Sequence, residues 1–230
     1  MKRIYLFFVL FILSLVIACS SDDYKKPLIS ENFTQAIWPL NNFNYWLMSR
    51  DTINDTIKID TSYYVNSDLL YEVTGINKFM MPNFNLNSQT AIFIKDSIYY
   101  LKVFSFTDSL NIFHSEYVIP LVVQNKQVSN EFNYSTIYEI ISPNDTINYS
   151  VNSNSIIIEK NSLEAIGGYV FTQIIKVKNV YTYASSSYNE ILNREIWFQP
   201  GVGPVKIIDE NQNIIYLIQG YQLSDNQTIP

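Results

Sequence analysis

The sequence predicts an all-β domain built on an antiparallel sheet. Short runs of β-branched and aromatic residues recur between clusters of Asn, Asp, Ser, Gly and Pro, the pattern of strands and their turns. No window carries a 3.6-residue apolar repeat of helical length. With about a dozen strand signals and no crossover helices between them, the sheet is antiparallel. Core material is plentiful: the 230-residue chain has 18 Tyr, 14 Phe and 3 Trp.

The elements follow in order. Tyr45 to Arg50 reads as a first strand. Ile57 to Val65 alternates weakly and stops at Asn66-Ser67-Asp68, and Leu70 to Thr74 stops at Gly75. Ala91 to Lys95 and Ser97 to Phe106 flank Lys95-Asp96 and form the clearest hairpin. Tyr117 to Val123 is strand-like, but Pro120 has no N–H, which puts it at an edge or a strand start. Ile137 to Ser142, Thr146 to Val151 and Ser155 to Glu159 read as a meander, with turns at Pro143-Asn144-Asp145 and Asn152-Ser153-Asn154. Tyr169 to Tyr183, Glu195 to Gln199, Val205 to Asp209 and Ile214 to Gly220 complete the set. Short helical turns are expected near Ser30 to Phe33 and near Asn161 to Glu164.

The N-terminus reads differently. Lys2 and Arg3 precede an apolar run from Ile4 to Ile17, 14 residues long. A membrane-spanning helix needs about 20 residues, so this run is the apolar region of a signal peptide. It ends in Val16-Ile17-Ala18-Cys19, a bacterial lipoprotein signal. Cleavage after Ala18 leaves Cys19 as the lipid-bearing first residue of the mature protein. An ordinary signal peptide would leave Cys19 a chance thiol, and as the chain's single cysteine it has no structural partner. Each buried CH₂ of an anchor contributes about 0.8 kcal/mol, so two or more acyl chains hold firmly. The expected organisation is a signal peptide over 1–18, a lipidated N-terminus and polar tether over 19–35, and one β domain over 36–230, since no Gly/Ser-rich or Pro-rich linker interrupts residues 36 to 223.

Removing residues 1–18 takes two of the 15 cations and none of the 21 anions, for a mature net charge of −8. That balance repels nucleic acid, whose binding depends on Lys and Arg neutralising phosphates. With Cys19 in the anchor no disulfide can form within the mature chain, and stability rests on core burial.

Several segments resemble known proteins. Ser20-Ser21-Asp22-Asp23 is similar to the surface-export signal of Bacteroidota lipoproteins, and Ser20 after the lipidated residue matches Gram-negative sorting to the outer membrane. These resemblances imply an outer-membrane, cell-surface address, the periplasmic face being the alternative. Three further motifs resemble a group of uncharacterised Bacteroidota lipoproteins. Trp38-Pro39-Leu40-Asn41-Asn42-Phe43-Asn44-Tyr45-Trp46 is similar to its opening Pro-Leu-x-x-Gly-Asn-x-Trp segment, with Phe43 where the group has glycine. Glu159 through Gly167-Gly168-Tyr169 to Lys178 is similar to its glutamate strand, turn and following strand. Ile196-Trp197-Phe198-Gln199-Pro200-Gly201-Val202-Gly203-Pro204-Val205-Lys206 is similar to its closing Trp-Tyr/Phe-x-x-Gly-Val-Gly-x-Val-Lys segment. The resemblance implies a strongly curved sheet or half-barrel akin to the lipoprotein carrier fold. It implies no reaction.

Read for chemistry, the residues offer little. His114 is the single histidine and reads as a solvated loop residue; Glu116 two positions on makes no metal motif. With Cys19 acylated, and no Gly-x-Ser-x-Gly elbow present, no nucleophile is activated. Two carboxylates can suffice for a glycosidase, and Asp55, Asp60, Glu72, Glu159 and Glu164 are candidates, though turns and strand exteriors suit them better. The Pro-Gly-Val-Gly-Pro stretch is a hairpin turn; no helix follows it to make a phosphate cradle. Asp51-Thr52, Asp55-Thr56, Asp96-Ser97, Asp108-Ser109 and Asp145-Thr146, each followed by an aliphatic residue, resemble the O-glycosylation acceptor of Bacteroidota envelope proteins and are also ordinary turn residues. Tyr63-Tyr64, Tyr99-Tyr100 and Tyr181-Thr182-Tyr183 could line a groove, or pack the core. The expectation is therefore a non-enzymatic binding or assembly module without cofactor, metal or catalytic set. Its partners are the membrane, through the anchor, and an envelope protein or an apolar or glycan ligand. The alternatives are a carrier of lipid or another apolar ligand, and a carboxylate-dependent hydrolase.

Overall fold

The computed structural model describes residues 36–80, 88–124 and 126–224. Ala18, Cys19, the tether and the helical turn expected near Ser30 lie outside the described residues. Among those described, the chain forms β1 (Tyr45–Arg50), β2 (Ile53–Val65), β3 (Asp68–Thr74), a one-turn helix α1 (Asn77–Met80), β4 (Thr90–Lys95), β5 (Ile98–Val103), β6 (Phe106–Thr107), β7 (Phe113–His114), β8 (Tyr117–Val123), β9 (Glu131–Ser142), β10 (Asp145–Ile166), β11 (Tyr169–Ala184), β12 (Asn189–Gln199), β13 (Gly203–Asp209) and β14 (Ile214–Gln222). They make one 14-stranded sheet in the order β6-β7-β9-β10-β11-β12-β13-β14-β1-β2-β3-β4-β5-β8. The pairs are antiparallel, as expected, and two meanders, β1 to β5 and β9 to β14, join at β14 and β1.

Turn chemistry sets the registers. Asn66-Ser67, Asp96-Ser97 and Gly167-Gly168 each place two consecutive residues at positive φ between directly paired strand ends. That backbone matches the twist of a tight hairpin. The β4–β5 loop is thus Asp96-Ser97, one residue later than the sequence suggests, because Lys95 already pairs with Ile98. Pro120 lies on β8, at one end of the strand order, where no further ladder needs its missing N–H.

The sheet coils past itself instead of closing. Tyr99, Leu101 and Val103 of β5 point inward and are buried, so Tyr100 points outward. Tyr134 of β9 lies against Tyr100, ring centroids 5.8 Å apart, so β9 passes over the outer face of β5. β8 runs beneath: Tyr117 packs on Tyr138 at 5.0 Å, and the β8 carbonyls meet side chains of β11 inside the coil.

Two local expectations are overturned. Asn152-Ser153-Asn154 is no turn but the middle of β10, a 22-residue strand. Ladders on both sides hold its backbone, and Ser135 Oγ–Asn152 Oδ1 (2.7 Å) and Asn154 Nδ2–Asn133 Oδ1 (2.8 Å) bonds join residues directly opposite. The tertiary pairing overrides a turn-like composition. Asn161 to Glu164 is likewise strand, not helix; Asn161 at φ 61° marks a bulge at which the register with β11 shifts. The helical turn forms instead at α1. Its four residues are too few to show a period, and Asn77 fastens it, donating to Ser88 O (2.5 Å) and accepting from Thr90 Oγ1 (2.9 Å).

Candidate functional site

Ser155, Asn179, Arg194 and Asp209 stand directly opposite one another on β10, β11, β12 and β13, all buried on the concave face. Strand alternation puts Arg194 in the same phase as Leu192, Ile196 and Phe198. Its Nε donates to Phe79 O of α1 (2.6 Å), and Nη1 donates to Asp209 Oδ1 (2.7 Å) and Asn193 O (3.0 Å). Asp209 Oδ1 also accepts from the backbone of Asn211 (3.1 Å) and Gln212 (3.2 Å). Asn179 Nδ2 donates to Leu121 O (2.9 Å), and Tyr181 Oη, in the next row, to Pro120 O (2.9 Å). Burial pushes the Tyr181 and Tyr183 phenols far up, with nearby Arg194 opposing. The interior polar groups thus satisfy carbonyls of β8 and α1, the two elements lodged in the concavity. A buried carbonyl left without a donor costs about 1–3 kcal/mol.

His114 is not a solvated loop residue. It lies in β7, 6% exposed, with Phe106 stacked on its ring at 4.3 Å. Nδ1 is 2.5 Å from Tyr138 Oη and Nε2 is 3.6 Å from Asp108 Oδ2. The Ile112 N–H, donating to Asp108, holds that carboxyl below its ordinary range; burial opposes, and the Leu110 N–H and His114 assist. This Asp-His-Tyr row ends on a phenol buried among Tyr117 and Tyr149. Its visible role is to pin the β6–β7 turn to β9.

The second and third motifs meet on the convex face. Lys176, Trp197 and Lys206 form one row across β11, β12 and β13. Lys176 Nζ lies 4.1 Å and Lys206 Nζ 3.9 Å from the indole centroid, and Trp197 Nε1 donates to Glu195 Oε1 (2.5 Å). Glu159 Oε2 and Glu164 Oε1 both lie 2.6 Å from Lys176 Nζ, so two of the candidate carboxylates do converge, with an ammonium between them. Burial alone would lower the Lys176 pKa; the two carboxylates outweigh it and hold it above the ordinary value. The other candidates are scattered: Asp55 pairs with Lys78, Asp60 with Lys58 (2.6 Å), and Glu72 accepts from Gln89 (2.8 Å). No group of three or more His, Cys, Asp or Glu among the described residues is placed to hold a metal ion.

The first and third motifs meet inside. Trp38 packs edge-on against Trp46 (5.6 Å) and tilted on Phe198 (5.8 Å). Trp46 Nε1 donates to Val202 O (2.5 Å), and Gly201 N donates to Ala36 O (3.0 Å). Phe43 takes φ +70°, closing the turn that the Asn44 N–H to Asn41 O bond defines. The aromatic pairs divide: Tyr181 and Tyr183 face inward, Tyr99 and Tyr100 face opposite ways, and Tyr64 is exposed. The hydroxyl residues of the five Asp-Ser/Thr pairs all lie at least partly exposed, in or beside turns or, for Thr56, on β2.

Sequence reasoning missed Arg194, Asn179 and Asp209. The available signal was a charge in the apolar phase of Leu192, Ile196 and Phe198.

No family model matches the chain, and no curated protein matches it. Two solved structures are similar to it. One is a candidate lipoprotein from Parabacteroides distasonis, 13% identical, covering 83% of this chain and 100% of its own, with a TM-score of 0.49. The other is a candidate exported protein with a YmcC-like fold from Bacteroides fragilis, 8% identical, covering 82% and 100%, with a TM-score of 0.44.

Proposed function

We propose that the chain is a lipid-anchored outer-membrane protein, displayed on the cell surface, whose β domain is a non-enzymatic binding or assembly module. The address rests on the sequence: the signal ending at Ala18, the lipid-bearing Cys19 and the acidic tether. The observation that carries the module reading is the filled concave face. Trp46, Tyr99, Tyr138, Tyr181, Tyr183 and Phe198 are each 0% exposed, and the polar row between them is bonded to β8 and α1. A carrier of apolar ligands uses a cavity of roughly 300–1,000 Å³, and the complete burial of these side chains favours the module reading over it. The hydrolase alternative has its best carboxylates, Glu159 and Glu164, on the lysine between them.

Two experiments test the reading. Cys19→Ser should abolish metabolic lipid labelling, and protease added to intact cells should digest the domain; persistent labelling, or protection until the outer membrane is breached, would overturn the address. Native mass spectrometry of protein extracted from membranes should give the lipidated chain alone. A stoichiometric acyl ligand beyond the anchor would replace the module with a carrier.

A further inference from the structure

We infer that the free edge of β9, from Glu131 to Ile137, binds an extended segment of a partner protein by strand addition, the segment carrying apolar side chains on one face and Lys or Arg on the other. The inference deepens the binding-module reading and rests on it. On an antiparallel strand, alternate residues turn both backbone groups to the same side. Glu139 fixes the phase: its carbonyl accepts from Ser115 N (2.9 Å) and its N–H donates to Ser115 Oγ (2.8 Å), both away from β10. Ile137, Ser135, Asn133 and Glu131 therefore turn their N–H and C=O groups the same way. β7 reaches only Ile140 and Ile141, and no other described residue pairs with the outward groups of 131, 133, 135 and 137.

Exposed edges are ordinarily blunted by Pro, Lys, bulges or inward charges. β9 has none of these: residues 131–142 contain no Pro, Lys or Arg, and the twelve pairs with β10 run without a register shift. Ile137 stands 64% exposed on the outer side. On the inner side the overlap with β5 supplies an aromatic floor, Tyr134 against Tyr100 and Tyr100 stacked on Phe93 at 5.2 Å. An added strand would lay alternate side chains on that floor, which accounts for the apolar face.

Charge decides the occupant. Glu131 and Glu139 bracket the open stretch on the outer face, and neither has a cationic partner among the described residues. Ser115 already occupies the edge opposite Glu139, so two copies could pair only about a two-fold at Tyr134, which sets Glu131 opposite the second copy's Ile137 and diagonal to its Glu139, with no cation on either strand. Diagonal cross-strand neighbours are within reach of long side chains, so two glutamates so placed repel. A segment with Lys or Arg opposite Glu131 and Ile137, the latter diagonal to Glu139, gains what a second copy loses.

The test uses the full lipidated chain in detergent and two synthetic peptides, one alternating lysine and valine, the other glutamate and valine. The lysine peptide should bind more tightly, should weaken as salt rises, and should slow amide exchange at Asn133, Ser135 and Ile137, which exchange fast in the free chain, while Tyr134 and Thr136 are already slow. Ser135→Pro, whose missing N–H points outward, should abolish binding. If that variant is unstable, Glu131→Gln with Glu139→Gln carries the test, and should weaken binding about two- to tenfold. Equal affinity for both peptides, protection elsewhere, or a concentration-dependent dimer lost in Ser135→Pro would overturn the inference. Those results would leave the module reading standing, since an acyl ligand in the extracted protein is what removes it.

Discussion

Gly203→Ala separates two costs that the structure places at one residue. Gly203 holds φ +107°, outside the region that side chains of L-residues adopt, and a Cβ there would lie 2.9 Å from both Trp38 Cδ1 and Trp46 Nε1. The backbone contributes about 1–3 kcal/mol of strain. The indoles cannot swing away freely, because Trp46 Nε1 is bonded to Val202 O and Trp38 is wedged between Trp46 and Phe198. Overpacking there adds about 1–3 kcal/mol, for a total of roughly 2–6 kcal/mol. Gly168→Ala is the internal control: φ is +82°, yet nothing lies within 4 Å of its Cβ. It should cost only the left-handed backbone, about 1–2 kcal/mol. Urea unfolding followed by tryptophan fluorescence reads both, since two of the three indoles sit at the site. The midpoint for Gly203→Ala should fall clearly below that for Gly168→Ala. Equal midpoints would refute the claim that the first and third motifs interlock through Gly203.

Phe43→Gly should stabilise the chain by about 1 kcal/mol, because Phe43 is 67% exposed and its φ of +70° is left-handed; a lower thermal midpoint would mean that the ring contributes packing. Tyr181→Phe leaves Pro120 O without its donor and should cost about 1–3 kcal/mol, with amide exchange accelerated selectively in β8; uniform acceleration would place the effect elsewhere. Alkaline pH should unfold the protein through its buried phenols. Burial raises Tyr99 to about 12 and pushes Tyr181 and Tyr183 up as well. A raised folded pKa means that the folded state holds its protons longer, so the stability is intact below the unfolded value near 10 and is lost as pH climbs toward the folded values. Tyrosinate absorbance should rise in two phases, the second coincident with loss of far-UV dichroism. Full ionisation while the sheet persists would contradict the burial.

Much of the fold was legible because its turns are chemically explicit. β1 and β8 match their expected spans, and Pro120 falls on an edge strand as a residue without an N–H must. The misreadings share one cause. Asn152 to Asn154 has the composition of a turn, yet strands on both sides supply a ladder that no local window contains. His114 seemed a loop residue for the same reason: two-residue strands and a stacked Phe106 leave no periodicity to read. Of the candidate carboxylates, only Glu159 and Glu164 are brought together, by a lysine 12 residues from one of them across a hairpin.

The coil explains why the interior and the edges take separate roles. A sheet that closes pairs its last strand with its first and keeps no edge. Here β8 is drawn inside and satisfied by Asn179 and Tyr181, side chains standing in for a fifteenth strand. That arrangement uses the concave polar groups for architecture and leaves β9 as the overlapping outer flap. The clasp made by Trp46 on Val202, Gly201 on Ala36 and Ser224 on Asn44 gathers both ends of the described chain near the β12–β13 turn and the start of β1. In the strand order β9 stands three places from β12 and six from β1. The start of the described chain, clasped at Ala36, and the edge proposed to bind are thus held by different strands.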